Sequence, residues 1–433
     1  MILAVSVSLV GCGTSSRGCG DDFEYQARID AFAIDTGEAL WGNELGWVSP
    51  DLQLALTDGA RLYRLNPEGI VAIDRAGAVA WDRPLPLATE DLGQRLVRPV
   101  LDPGGMLIVV TEDRRVVAIS AEDGEQQWTR KLPAEASSNV TLDAGVLFVA
   151  QPPSIVAWDV ATGETNWTLE RGSRGADRIS AAGGLVFTRV DEVTRIRAHD
   201  ASSGEERWTA SPRGNTRLLG FITGGDGVAI LDERRWERLD EGSAVQLARG
   251  FAVDAGTGRF LWRAPIHGGE PMGGFVVGDV FIASLPGGVI FRPGREPGTT
   301  GYDLRTGATR WQIPEIADRS RPPAFDERRV YLVVSGPGVV AVDRNAATSA
   351  WNRRFDQEKV TAVAAQEGTV VVGLSTDTLY PDEPSRDVVV GLGASTGDTT
   401  WSASLRDEIA SGPFIVGDVV VVLTADEVVA CSS

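Results

Sequence analysis

VAWDVATGETNW, residues 156–167, carries the pattern that decides the fold. An apolar run reaches Ala157, an aspartate follows at Asp159, a glycine stands at Gly163, and Trp167 comes four residues later. The same sentence recurs along the chain. Residues 117–128 read VAISAEDGEQQW, 197–208 RAHDASSGEERW, 251–262 FAVDAGTGRFLW, 300–311 TGYDLRTGATRW, 340–351 VAVDRNAATSAW and 390–401 VGLGASTGDTTW. Two shorter copies, FAIDTGEALW at 32–41 and VAIDRAGAVAW at 71–81, bring the total to nine. Repetition at a near-fixed period is the mark of a repeat architecture.

Each position has a physical role. The aspartate closes a strand and accepts hydrogen bonds from turn amides two residues on. The glycine supplies a positive φ that a side chain resists, and only Ala347 replaces it. The small second residue leaves room for a neighbouring sheet. The tryptophan buries about 150–250 Å², at most about 4–6 kcal/mol of apolar burial. The nine are Trp41, Trp81, Trp128, Trp167, Trp208, Trp262, Trp311, Trp351 and Trp401.

Between successive tryptophans lie three apolar runs and the tryptophan strand itself. From Trp128 to Trp167 they are SNVTLDAG, VLFVAQPP, SIVAWDVATG and ETNWTLE. Four short strands with turn residues every 8–12 positions read as one all-β blade. The second runs (VLFVAQ, RVYLVV, TVVVGL, VVVVLT) are apolar throughout, which predicts cover on both faces. The last unit has GPFIVGD, VVVVLT and DEVVACSS but no tryptophan strand, and the N-terminal TGEALW supplies the missing outer one, removing an open edge. IDAFAID at 29–35 is left over. The expected fold is one closed β-propeller of nine four-stranded blades over residues 29–433.

The chain has 433 residues, 43% hydrophobic, with a net charge of −19. A core of ample size follows. The negative charge argues against nucleic acid and against docking on anionic lipid. Residues 2–11 are apolar and run into Cys12; Leu9-Val10-Gly11-Cys12 resembles the lipobox of bacterial lipoproteins. The resemblance implies a signal peptide over 1–11 and a lipidated Cys12 with a tether to residue 28. Gly13 after the cysteine implies outer-membrane sorting. An ordinary apolar strand is the alternative. Cys19 and Cys431 remain, near the two ends of the fold, and a disulfide between them would latch it, worth on the order of 4–5 kcal/mol in the loop-closure model.

The turn A-x-D-x-x-x-G-x-x-x-W resembles the tryptophan-docking turn of the pyrroloquinoline-quinone (PQQ)-like propeller family, over residues 29–431, although eight blades are that family's norm. Two branches of it matter. One holds PQQ- and calcium-dependent dehydrogenases, which carry an adjacent Cys-Cys pair that this chain lacks. The other is the BamB-like outer-membrane lipoprotein branch, whose members act as scaffolds without cofactor. Calcium needs several converging oxygens, and no local acidic cluster stands out. His199 lies inside a repeat and His267 between blades, too few for a histidine-rich metal site. No catalytic, cofactor or metal residue is expected. GGEPMGG (268–274) and TGGDG (223–227) read as turns, because no helix follows to cradle a phosphate.

Three units are long, at 232–250, 286–300 and 375–387, each between its second and third strands. Long loops on a rigid scaffold concentrate binding. Arg234, Arg235 and Trp236 in the first and Tyr380 in the third are therefore candidate contacts for a protein partner, with solvated decoration as the alternative. The expectation is a non-enzymatic, monomeric lipoprotein scaffold on the outer membrane, facing the periplasm and binding protein partners in the envelope. A PQQ-dependent dehydrogenase and a sensor or polymer-binding propeller are the other two functions open to such a chain.

Overall fold

The computed structural model describes residues 24–48, 54–66, 68–87, 99–132, 140–151, 154–170, 179–189, 195–211, 216–238, 244–266, 274–285, 297–318, 320–346, 348–355, 359–366, 368–376 and 387–428. Among these there is no helix. The strands form nine four-stranded antiparallel sheets, the blades of a β-propeller. The chain divides into two compact units, residues 97–319 and residues 1–96 with 320–433.

The unit over 97–319 holds five blades in chain order. They are β7–β10 (Val100–Leu101, Met106–Val110, Arg115–Ser120, Gln126–Lys131), β11–β14 (Val140–Asp143, Val146–Gln151, Ser154–Asp159, Thr165–Glu170) and β15–β18 (Ile179–Ala182, Leu185–Arg189, Ile196–Asp200, Glu206–Ala210). Then come β19–β22 (Thr216–Gly225, Val228–Arg238, Ala244–Asp254, Phe260–Pro265) and β23–β26 (Phe275–Val277, Val280–Leu285, Gly298–Asp303, Thr309–Ile313). The other unit holds four. Three are regular: β3–β6 (Leu54–Thr57, Arg61–Asn66, Gly69–Asp74, Val79–Pro84), β27–β30 (Ala324–Phe325, Arg329–Val334, Gly338–Asp343, Ser349–Arg354) and β31–β34 (Lys359–Gln366, Thr369–Ser375, Val388–Gly393, Thr399–Ser404).

The fourth is built from both ends of the chain. Its order is β2–β1–β36–β35, with β1 Glu24–Ala33, β2 Ala39–Val48, β35 Glu408–Val416 and β36 Val419–Val428. The N-terminal tryptophan strand is the outer strand, as the sequence requires. The leftover run at 29–35 finds its place here, within and just after β1, which is the third strand. DEVVACSS was expected to be that third strand. Instead β36 runs unbroken through Asp426 to Val428, because no turn residue interrupts it and β1 occupies the pairing edge from Ala33↔Val419 to Glu24↔Val428.

The cores lie between blades, as continuously apolar second strands demand. Val146, Phe148 and Ala157 of one blade pack with Ile179, Val186 and Ala201 of the next. Val228, Ile230 and Trp262 likewise pack with Phe281, Ala283 and Leu304. In the other unit Ile29, Ala31 and Leu423 pack with Ala55, Leu62 and Ile73.

The repeated turn works as its residue types dictate. Asp159 Oδ1 accepts from the amides of Ala161 (3.1 Å) and Thr162 (2.9 Å). Gly163 has φ +69°, and a Cβ there would meet the Trp128 ring at 2.6 Å. Trp128 Nε1 donates to Val160 O at 2.8 Å. Trp41, Trp167, Trp208, Trp262, Trp351 and Trp401 make the same bond, to Arg75, Ala201, Ala255, Leu304, Ala394 and Ile34. Trp81 is buried against Tyr63.

The small second residue serves a different end from the one expected. It lies opposite the blade's own tryptophan in the ladder, Gly301↔Trp311 and Gly391↔Trp401. A Cβ at Gly301 or Gly391 would overlap that indole. Room is therefore kept within the blade, for the indole of its own outer strand.

Candidate functional site

The longest repeat was read as a loop over 232–250. It is instead a strand extension. β20 and β21 pair from Val228↔Asp254 out to Arg238↔Ala244. β19 joins only as far as Thr216↔Arg235, and β22 only over Arg249–Val253 of β21. Among the described residues, Trp236–Arg238 and their partners Ala244–Gln246 thus form a two-stranded ribbon beyond the blade. The ladder continues because each residue keeps its backbone hydrogen bonds by pairing. Polarity of the side chains does not prevent that when they find partners.

At the base of the ribbon three consecutive charged residues are buried. Asp232 is 0% exposed, Glu233 3% and Arg234 6%. Successive strand residues point to opposite faces, and the two faces are neutralised separately. On one, Arg234 Nε donates to both carboxylate oxygens of Asp232 at 2.8 and 3.0 Å. Burial still pushes the Asp232 carboxyl above its ordinary value, and Arg234 only partly draws it back. On the other, Arg263 Nε of β22 donates to Glu233 at 2.8 and 3.0 Å. The Arg263 guanidinium also lies 4.7 Å from the Phe251 ring centroid and 4.6 Å from that of Phe260. Phe260 is 45% exposed, one of few large apolar side chains so open among the described residues.

These positions separate the sequence candidates. Arg234 is a buried structural cation, a correction to its reading as a surface contact. Arg235 is exposed, opposite Leu247 in the ladder. Trp236 stands opposite Gln246 on the ribbon, with its side chain outside the described residues. Tyr380, Cys12, Cys19, Cys431 and His267 lie outside the described residues. The other two long connections do fall between second and third strands, after Leu285 and after Ser375.

His199 is a buried strand residue. Its Nε2 is 3.3 Å from Thr188 Oγ1, and its Nδ1 donates to Gly204 O at 3.2 Å. No group of three or more His, Cys, Asp or Glu converges to hold a metal ion among the described residues.

Sequence reasoning missed a set of buried clamps. Asp58 caps the Ala60 and Arg61 amides, both at 2.7 Å, and accepts from the Tyr63 hydroxyl at 2.6 Å. Asp326 repeats this with Arg328, Arg329 and Tyr331. Burial, then the neighbouring carboxylate, pushes both tyrosines far above their ordinary range. The shared pattern D-x-x-R-x-Y at 58–63 and 326–331 was the available signal. Asp387, fully buried, accepts from the amides of Thr376 (3.1 Å) and Ile409 (2.6 Å), tying one blade to the start of the next.

A family model described as outer membrane protein assembly factor BamB matches this chain over residues 26–141, 131–270, 251–383 and 360–432. BamB of Burkholderia pseudomallei (strain K96243) is 26% identical over 258 residues, covering 54% of this chain and 59% of that protein. BamB of Bordetella pertussis (strain Tohama I) is 25% identical over 255 residues, with the same coverage. The chain thus spans about three fifths of the length of these curated relatives. The crystal structure of BamB from Moraxella catarrhalis aligns with a TM-score of 0.46 at 14% identity, over 84% of this chain and 93% of that one.

Proposed function

The chain belongs to the BamB-type family of PQQ-like repeat propellers, and from that premise we propose that it is a non-enzymatic scaffold in outer-membrane protein assembly. The observation that carries the reading is the family match from residue 26 to residue 432, across every blade. The named relatives are assembly factors of the outer membrane. In this reading residues 1–11 are removed, Cys12 carries the lipid, and the body faces the periplasm as a monomer. Its partners are envelope proteins.

The docking element is the ribbon of β20 and β21. At its base Arg234 neutralises Asp232 within β20, and Arg263 of β22 reaches Glu233 of β20 across the sheet. A partner therefore meets a pre-ordered element and loses little conformational entropy in ordering it. Arg235 and Trp236 supply residue types that anchor protein interfaces.

Crosslinking in the intact envelope followed by affinity capture tests this. The expected outcome is enrichment of the outer-membrane assembly machinery, weakened at least tenfold when residues 236–246 are replaced by a two-residue Asn-Gly turn. Undiminished capture by that variant would remove the ribbon from the reading. Unchanged outer-membrane protein levels in a strain lacking the protein would remove the assembly role. Cys12→Ser is expected to abolish incorporation of labelled palmitate.

A further inference from the structure

The chain has 60 acidic residues against 41 basic ones, and yet one buried cation is left without a carboxylate. Arg64 of β4 is 4% exposed, and its Nε and Nη2 have no hydrogen-bond partner among the described residues. The other buried Arg, Asp and Glu side chains among those residues are all partnered. Asp102 accepts from the Gly104 amide at 2.6 Å and Asp387 from two amides, while Asp232 accepts from Arg234 and Glu233 from Arg263. Burial lowers the Arg64 guanidinium below its ordinary value, and Glu68 only partly offsets this.

The repeat puts Arg64 between two blades. It pairs with Ala55 of β3 and Val71 of β5, one step from the small second residue Ala72. At the same step three other blades hold Val149, Leu332 and Val372, all buried. Residues two apart on a strand share a face, so Arg64 lies on the face of Leu62. Leu62 packs with Ile29, Ala31 and Leu423 of the blade built from both chain ends. Those neighbours are apolar and offer no side-chain acceptor. On its own sheet the row through Arg64 and Val71 ends at Asp82 of β6. Two strand spacings separate Arg64 from Asp82, about 10 Å between Cα atoms.

We infer that Arg64 anchors a carboxylate-binding site between these two blades. Nε and Nη2 lie along one edge of the planar guanidinium, and two parallel N–H bonds from that edge fit the two oxygens of a carboxylate. The two orphaned atoms are thus the pair that one carboxylate satisfies together. A single negative charge also matches the setting, since a dianionic phosphate would keep one charge buried and unpaired among apolar side chains. An unpaired buried charge carries its full desolvation cost, so a ligand that pairs Arg64 stabilises the folded chain by linkage. Entry is from the end of the blade at Asn66↔Gly69, two residues from Arg64. The carboxylate belongs either to a small free acid or to an acidic side chain of a bound polypeptide; the chemistry at Arg64 is the same. The site stands apart from the ribbon and does not depend on the assembly role.

The test uses the full chain. Urea unfolding is followed in sodium formate, sodium phosphate and sodium chloride at equal ionic strength, so that screening is the same. The readout is the difference between the unaltered protein and Arg64→Met, which cancels the general effect of each salt on stability. Formate is expected to raise the midpoint of the unaltered protein saturably and beyond that of Arg64→Met, and phosphate to shift the two alike. In chloride Arg64→Met is expected to be at least as stable as the unaltered protein, because it removes an unpaired buried charge. Arg64→Lys keeps the charge without the two-pronged edge and should need at least about tenfold more formate for half its effect. Equal formate responses in the unaltered protein and Arg64→Met would overturn the site, leaving Arg64 solvated by water only. A phosphate response that depends on Arg64 would overturn the carboxylate class, and an Arg64→Met protein less stable in chloride would show a partner within the chain. Calorimetric titration of the unaltered protein needs no variant. Saturable binding of formate but not of acetyl-Gly-Glu-Gly-amide supports a small acid, and tighter binding of the peptide supports a polypeptide ligand. Saturation by neither would refute the inference.

Discussion

Trp262 and Trp311 end neighbouring blades of one unit and occupy the same place in the repeat. Their surroundings differ. Trp262 is 7% exposed, its Nε1 donates to Leu304 O at 3.0 Å, and its ring covers Gly307 in the next turn. Trp311 is more deeply buried, at 1%, and its Nε1 has no acceptor among the described residues. The sequence marks the same place: the repeat after Trp311 is the one that carries Ala347 in place of glycine. The pair teaches that burial of the indole and its hydrogen bond are separable contributions. The ring is buried in both, and the docking bond is made by Trp262 alone of the two.

Truncation is expected to have the largest effect and to be similar at both positions. Trp262→Ala and Trp311→Ala each remove a buried indole and should cost about 3–5 kcal/mol in urea unfolding. A clearly milder loss at Trp311 would mean that the hydrogen bond, and not the ring, dominates. Gly307→Ala comes next, at about 1–3 kcal/mol, because φ is +70° and the new methyl meets the Trp262 ring. The same measurement on Gly256→Ala is the control, since nothing lies within 3.6 Å of a Cβ there.

A subtler substitution isolates the bond. Trp262→Phe leaves Leu304 O without its donor, whereas Trp311→Phe has no such bond to lose. The first should cost about 1 kcal/mol more than the second, and equal losses would contradict the comparison.

The smallest effect concerns the turn that receives Trp262. Burial opposes the charged form of Asp303, but Arg310 and Thr306 outweigh it and hold the carboxyl down to about 2. A depressed carboxyl contributes stability that is fully present above its unfolded value near 3.8 and is lost as pH falls through about 2. Asp303→Asn should therefore lower the unfolding free energy read from urea titration at pH 7 by less than about 1 kcal/mol, since the pair is partly open to solvent. The gap to the unaltered protein should close between about pH 4 and pH 2. A gap that persists at pH 2 would assign the effect to turn geometry.

Much of the architecture was legible because the repeat has a local cause. An aspartate caps turn amides, a glycine takes positive φ, and a tryptophan needs cover; each requirement is met by residues close in the chain or one blade away. Hence nine blades, their four strands and the donated N-terminal strand could be read before any contact was known. Residues 232–250 were misread for the opposite reason. DERRWERLDEG has charges on both strand parities, so it shows no apolar alternation and resembles a loop. What makes it strand is partnership at a distance: Arg263, thirty residues on, neutralises Glu233.

The clamps at Tyr63, Tyr331 and Asp387 were silent in the same way. A hydroxyl or carboxylate in a strand says nothing of what it will face until the strands are in register. By itself the sequence determined the class of fold, the blade count and the turn chemistry, because these follow from periodicity and from the conformational preferences of single residues. Only the tertiary structure decided that β1 is the third strand of the last blade, that Arg234 is buried, and that β20 and β21 run on as a ribbon. Those outcomes depend on which groups meet across the folded chain, where desolvation and pairing between remote residues outweigh local preference.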